Sequence, residues 1–334
     1  MEASVIIPTF RRTAFLLDTL ASVGNQALSG DRYEVIIVDN APDATPELQV
    51  LQNEGAMPPI RYMHEPLNGL HNARHAGARH ARGEILVYVD DDVLCPFSWL
   101  GEMLAPYTQS DVALVAGKVV LRHEVEPPPW LGQFSGILSA LDRGDTAHRV
   151  EPYGSPVGCN MSIRKSVLFS VGGFNPDGFG DPSLLHLRGD GECGLARKVH
   201  DAGWTVWYAP EAWLEHRVPS GRMTREYIEW RSAIGGIEAA YADLRYHRRS
   251  TLGLLTRALF FASCSLAHRV WAEIFSRDSS NRMRSIALAK RYQYQSIQRW
   301  RQAASENLRR ETFRSDYLHT VARGSTAAKL LQPE

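Results

Sequence analysis

The chain lacks the signatures of several common chemistries. No serine stands in a Gly-x-Ser-x-Gly elbow, and the glycine-rich phosphate cradles of ATP- and NAD-binding proteins are absent. Cysteine is scarce. Cys95, Cys159, Cys193 and Cys264 have neither paired nor zinc-like spacing, so reduced thiols in a cytoplasmic protein are expected. Excess charge is absent too: Lys plus Arg and Asp plus Glu are both 37, which argues against a general nucleic-acid binder. No apolar run reaches the roughly 20 residues of a spanning helix. The first apolar run, Ser4-Val5-Ile6-Ile7, breaks at Pro8 with Arg11 and Arg12 after it, which is not the order of a signal peptide. No internal repeat is visible. The 334 residues leave room for one large domain, or for a domain with a substantial extension.

What is present centres on Val87-Tyr88-Val89-Asp90-Asp91-Asp92. Ile85 to Val89 reads as a buried strand after a Gly83-Glu84 breaker, and three carboxylates follow at its end. Adjacent acids repel, and a fold accepts that where a cation or a donor array offsets it. Oxygen ligands suit Mg²⁺ or Mn²⁺, commonly held by one or two carboxylates plus substrate phosphates. Ligands of open α/β sheets collect at the carboxyl ends of strands. A solvated acidic turn would look the same in isolation, so the rest of the chain decides.

The rest builds a parallel sheet. Val5–Ile7 is a strand, Ala14 to about Asn25 an amphipathic helix, and Val35–Val38 a second apolar strand ending at Asp39-Asn40. Asp39 either meets a nucleotide or merely starts a turn. Ile60–Met63 is a third strand. An Ala-rich, cationic helix then runs from Asn68 toward the acidic strand. His71 and His75 within it have zinc-ligand spacing, but no Glu follows His71 and no third ligand is near. Pro96–Tyr107 reads as a helix and Val112–Leu121 as a strand. The Pro-rich 126–131 is a loop, and 132–156, weak in periodicity, a mobile loop or lid. Val157–Lys165 is a strand entering a helix, and another helix opens near Arg188-Gly189-Asp190-Gly191-Glu192 and runs to about Ala202. N-capping by Asp190 would account for one of those acids without catalysis. Trp204–Tyr208 is a strand, and His216 follows a second short apolar stretch.

The ordered set of Val5–Arg12, Glu34–Asn40, Asn68-Gly69 with Ala73-Arg74, Gly83 to Asp92, Gly158–Lys165 with Val171–Phe174, and Asp201-Ala202-Gly203-Trp204 followed by Pro210-Glu211-Ala212 and His216 resembles family 2 inverting glycosyltransferases over roughly residues 3–235. The resemblance implies a GT-A-like fold: a Rossmann-like, mostly parallel sheet flanked by helices, with a helical C-terminal extension. It implies a nucleotide-sugar donor, UDP-linked by preference, a glycan or lipid-linked acceptor, and Mn²⁺ or Mg²⁺. Pro8, Thr9 and Phe10 would line the base, and Arg12, Asp39, Arg74, Asp90 and Asp91 would hold the nucleotide. Asp92 and His216 would ligate the metal. Glu192 would be the base. Trp130 and Asn160 are expected at the acceptor, and Arg222 and Arg231 near a diphosphate or phosphorylated acceptor. The chain departs from the family at His75, where Asn is usual, and at Asp190-Gly191-Glu192, where a Glu-Asp pair is usual. Counting back from Asp201 sets the family's Asp on Glu192 and its Glu on Gly191, while Asp190 remains the second candidate base.

The chemistry fits independently. Inverting transfer needs one base and a counter-charge for the departing diphosphate, and no covalent nucleophile. A Glu serves near neutral pH only if burial raises its pKa, so apolar cover over Glu192 is expected. A nucleotidyltransferase or a catalytically silent sugar-nucleotide binder are the alternatives. The expected division is a catalytic domain over 1–221, with a nucleotide-binding half (1–124) and an acceptor-binding half (125–221), then a helical extension over 222–334. In that extension a basic knot, Arg245 to Arg249, precedes an apolar stretch, Thr251–Phe275. This stretch reads either as a helix lying in a membrane surface, placing the protein peripherally at the membrane's inner face, or as a hairpin packed on the catalytic domain or a second subunit. Disorder is expected after Gly324. The acceptor motif Gln-x-x-Arg-Trp of processive synthases is replaced by Arg222–Arg231, so transfer of one or a few sugars is expected.

Overall fold

The computed structural model describes residues 1–150, 154, 156–177, 187–275 and 278–318; the disorder expected after Gly324 falls outside them. Strand β1 (Ala3–Thr9) leads to helix α1 (Thr13–Gly24), β2 (Tyr33–Asp39), α2 (Pro46–Gln49), β3 (Ile60–His64), α3 (Leu70–His80), β4 (Ile85–Val89), β5 (Val93–Leu94), α4 (Trp99–Leu104) and β6 (Val112–His123). Then come β7 (His148–Arg149), β8 (Asn160–Arg164), α5 (Lys165–Ser170), α6 (Gly191–Asp201), β9 (Thr205–Val218), α7 (Arg225–His247), α8 (Thr251–Ile274), α9 (Ser279–Ala304) and α10 (Glu306–Thr312).

The strands form one sheet in the order β3-β2-β1-β4-β8-β6-β9-β5, with β7 pairing onto β9. The pairs β1–β2, β1–β4, β2–β3 and β6–β9 are parallel, while β8 runs antiparallel between β4 and β6. The apolar runs explain this layering. Val5, Ile7, Val87 and Val89 face one side, covered by α1 and α4 through Leu16, Val23, Trp99 and Leu100. Ile6, Ile36, Leu86 and Tyr88 face the other, covered by Ala73 and Ala76 of α3 and Leu195 and Val199 of α6. The carboxyl ends of β1, β2 and β4 therefore open on the same edge, where Thr9, Asp39 and Asp90 leave the sheet.

Several expectations change. The strand read at 204–208 continues to Val218. Its register shift against β6, between Gly117 and Val119, absorbs the Pro210 region. The 132–156 segment is no free lid at its start. Gly132–Leu138 is a 3-10 turn, and Leu131, Phe134 and Leu138 are buried with Ile228 of α7 and Met283 and Ala287 of α9. The cationic helix directs its N-terminus, not its basic end, toward the acids: Leu70 and Arg74 face the cleft, while Arg79 and His80 lie in the last turn.

The C-terminal helices layer outward, α9 on α7 and α8 on α9. Asp243 of α7 ties them together through ion pairs with Arg249, Arg257 of α8 and Arg299 of α9 at 3.2, 2.8 and 3.2 Å. Each helix start is capped: Thr224, Ser250, Asp278 and Ser305 accept a backbone N–H of the following turn.

Candidate active site

Two cavities share Leu70 and Asp90 as a common wall. The first, about 310 Å³, is lined by Pro8, Thr9, Phe10, Arg12, Asn40 and Asp91 among others. The second, about 350 Å³, is reached by Arg74, Gly158, Glu192, His216, Arg222 and Arg231.

Asp92 sits at the junction and is almost fully buried. Its Oδ2 accepts Arg222 at 2.9 Å and also Arg12. Its Oδ1 has no hydrogen-bond donor and lies 3.3 Å from His216 Nε2. Burial alone would raise the Asp92 pKa. His216, Arg222 and Arg12 more than offset that and hold it well below the usual carboxylate range. His216 Nδ1 lies 3.0 Å from the Leu138 carbonyl, which only accepts, so Nδ1 carries a proton. In the neutral ring Nε2 then turns its lone pair toward Asp92 Oδ1 and Arg222 Nη1, the state a metal ligand needs. Ligand atoms of Asp90, Asp92 and His216 all lie within 4.8 Å of one another. Two carboxylates and one imidazole, with an orphaned carboxylate oxygen facing a ring nitrogen, fit Mn²⁺ or Mg²⁺.

Asp91 turns the other way. Its Oδ2 accepts Thr9 Oγ1 at 2.6 Å and its Oδ1 lies 3.0 Å from Arg12, tying the end of β1 to the end of β4. Burial pushes Asp91 up to about 6, against Arg12 and Thr9, because fewer cations face it than face Asp92.

Glu192 opens α6. Its Oε1 pairs with Arg74 Nη1 at 2.5 Å, and a quarter of its side chain is exposed. Arg74, fully buried, also donates to the Gly158 carbonyl at 2.9 Å and reaches Asp90 at 3.2 Å. A Cβ at 158 would stand 1.9 Å from Glu192 Oε1 and 2.4 Å from Arg74 Nη2, so glycine leaves room for that pair. The expected raised pKa is not seen. Burial does press Glu192 upward, but Arg74 outweighs it and holds the carboxyl at about 2. His71, unremarked in the sequence apart from its spacing, lies 3.9 Å from Glu192 and 3.6 Å from Asp177. Its ring fills the space a side chain at Gly191 would enter, 2.8 Å from a Cβ there. His75 is spoken for, accepting Phe174 N–H at 2.9 Å, which leaves the zinc spacing without use.

Pro8, Thr9, Phe10, Arg12, Arg74, Asp90, Asp91, Asp92, His216, Glu192, Arg222 and Arg231 thus gather around the two cavities. Four others do not. Asp39 is buried and satisfied by Ala41 N–H, Thr45 N–H and Tyr62 O–H, so it folds the turn after β2, and Asn40 takes its place at the cavity. Asn160 is buried between strands. It donates to the Lys118 and Ala212 carbonyls and accepts Trp99 Nε1–H at 2.9 Å. Trp130 packs edge-on against Phe134, 6.1 Å between centroids, over the α7–α9 cluster. Asp190 sits at the N-cap position of α6, but its side chain caps nothing: it accepts Asn175 Nδ2–H at 2.6 Å and Tyr246 O–H at 2.8 Å. It is an anchor between α6 and α7, not a cleft residue. Sequence reasoning missed Asn40, His71 and Tyr227. Tyr227, in the first turn of α7, lines the second cavity.

Comparison with known proteins agrees with this architecture. The model of "Glycosyl transferase family 2" matches residues 4–170. The succinoglycan biosynthesis protein ExoM of Rhizobium meliloti is 26% identical over 235 residues, 68% of this chain and 71% of that protein. Glycosyltransferase AglE of Haloferax volcanii is 25% identical over 208 residues, 62% of this chain and 64% of its own length. The dolichol-phosphate mannosyltransferase of Pyrococcus furiosus is 27% identical over 181 residues, only 50% of its length. Among solved structures, mannosyltransferase PcManGT from Pyrobaculum calidifontis, in complex with GDP-Man and Mn²⁺, has a TM-score of 0.55 at 19% identity. That match covers 86% of this chain and 85% of that one. S. aureus TarS 1–349 with UDP-GlcNAc has a TM-score of 0.51 at 15% identity, covering 90% and 92%. At such identities these structures speak to the fold alone, and it is the GT-A fold. With its family model spanning half the chain and its strand-end acids in place, the protein belongs to glycosyl transferase family 2 and is a glycosyltransferase.

Proposed function

We propose metal-dependent, inverting transfer of a sugar from a nucleotide sugar, UDP-linked as the first candidate, to a hydroxyl of a glycan or lipid-linked acceptor. The observation that carries this reading is the Asp90–Asp92–His216 cluster, whose Asp90 and His216 line the same cavity as Glu192. Asp90, Asp92 and His216 would hold Mn²⁺ or Mg²⁺. When bound, the cation supplies positive charge against the charge developing on the departing diphosphate. Pro8, Thr9, Phe10 and Asn40 offer the donor cavity its walls. Arg12 and Arg222, now on Asp92, are within reach of the same diphosphate. Arg231 serves the acceptor side.

Glu192 takes the acceptor hydroxyl's proton as that oxygen attacks the anomeric carbon opposite the leaving group. At a pKa of about 2 it is a weak base, and Arg74 is the reason. A donor phosphate competing for Arg74 would loosen the pair and leave burial to raise Glu192. The division at 221/222 runs through the site: Arg222, Tyr227 and Arg231 line the second cavity, so the start of the extension belongs with the catalytic domain.

The test is a screen of nucleotide sugars with and without Mn²⁺, read as nucleotide release, followed by NMR of the product's anomeric configuration. Release of one nucleoside diphosphate with inversion is expected, and one or a few sugars per acceptor. Pyrophosphate released from nucleoside triphosphates would instead indicate nucleotidyl transfer. Binding without turnover across a broad acceptor screen would indicate a silent binder, and long polymer would contradict the short-product reading.

A further inference from the structure

α8 lies outermost, with one face on α9 and none of its opposite face covered among the described residues. The inward face packs on α9: Leu254, Ala258, Ser265 and Ala272 are buried, Phe261 stacks on Tyr292, and Ser265 Oγ donates to the Ala289 carbonyl at 2.8 Å. The outward face is the reverse. Leu259, Phe260, Leu266, Trp271, Ile274 and Phe275 are each 53–68% exposed. At 100° per residue, all of these but Phe275, which caps the helix, fall with Leu252, Thr256, Ser263, Ala267 and Val270 in one arc that contains no charge. The arc runs the length of a helix of about 36 Å. Its charges stand on the flanks: Arg257 toward Asp243, Arg269 beside Gln293, and the sole acid, Glu273, against Arg282 at 3.1 Å.

We propose that this face of α8 lies in the surface of an anionic lipid bilayer, parallel to its plane. Two observations select that occupant. No helix among the described residues is long and apolar enough to cross a membrane, so the face is covered in-plane if by lipid. The helix is a net cation, with exposed Arg248 before its start and its one acid already paired, which complements anionic headgroups. The reading does not depend on the chemistry of the cleft.

The test is flotation of the full chain with vesicles of phosphatidylcholine alone and of phosphatidylcholine with phosphatidylglycerol. The protein should float with the anionic vesicles, less with the neutral ones. L259Q/F260Q/I274Q should lower the bound fraction about tenfold, with an unchanged thermal melt and unchanged nucleotide release toward a water-soluble acceptor. R248E should weaken the preference for anionic vesicles and keep some binding to neutral ones. Three results would overturn the proposal. One is equal flotation of wild type and triple variant. Another is no flotation together with a sedimenting dimer that the triple variant abolishes, which would make the face a subunit seam. The last is flotation only after removal of residues 319–334, which would make the chain's own end the cover.

Discussion

Asp92 and Glu192 are both carboxylates in contact with arginine, and their surroundings prepare them for different work. Asp92 is buried among three cationic or potentially cationic groups drawn from three elements, and one of its oxygens has no donor at all. Glu192 is a quarter exposed and leans on a single Arg74, which divides itself among Glu192, Asp90 and the Gly158 carbonyl. The first arrangement is an over-determined anion waiting for a stronger cation. The second is a carboxylate whose restraint can be drawn away by a competing anion. Strand ends give the rigidity of the one, and a shared side chain gives the lability of the other.

The comparison breaks most sharply at Asp92. Asp92→Asn should abolish metal-dependent turnover, by roughly 10³-fold or more, because the leaving group's charge then goes unanswered. Circular dichroism should show the fold intact. Near-normal turnover would remove Asp92 from the metal. Glu192→Gln should cost transfer about 10²-fold or more, the usual scale for a general base, and leave donor and metal affinity as they are. Steady-state rates alongside a binding titration separate the two effects.

Arg74→Gln sharpens the contrast. With the arginine gone, burial acts on Glu192 against only His71 and a backbone hydrogen bond, and the acid limb of the pH–kcat/KM profile should move to higher pH. Stability should respond in step. Glu192 has a depressed folded pKa, so its contribution is full above about pH 4.5 and is lost as pH falls toward about 2. Acid unfolding of Arg74→Gln should lack that component, and an unmoved profile would detach Arg74 from the base. The smallest effect belongs to Asp190. Asp190→Asn should lower stability by about 1 kcal/mol by weakening its bonds from Asn175 and Tyr246, with transfer retained. A loss of transfer larger than that of Glu192→Gln would reverse the assignment of the base.

The parallel half of the fold was readable because its information is local. Continuous apolar runs ending in Asp39 and Asp90 specify buried strands and where they stop. The acids at 90–92 were readable for the same reason, as polar residues at a strand's end, whereas His216 and Glu192 were singled out only by the family resemblance. What stayed hidden depends on partners far away in the chain. Asn160 is expected at the acceptor, but its carbonyl partners at 118 and 212 turn it into a strand clamp. Asp190 reads as a cap until Tyr246, 56 residues on, claims it. Strands of two residues, β5 and β7, are too short for any periodicity to register. The apolar stretch at 251–275 left packing and membrane burial open, and its two faces divide accordingly, one on α9 and one outward.

The most direct test is a calorimetric titration of UDP with Mn²⁺ into the wild type, Asp92→Asn and Glu192→Gln, each repeated without metal. Wild type and Glu192→Gln should bind the nucleotide alike and only weakly without Mn²⁺, and Asp92→Asn should lose the metal-dependent part. Metal-dependent binding that survives in Asp92→Asn but fails in Glu192→Gln would contradict the account.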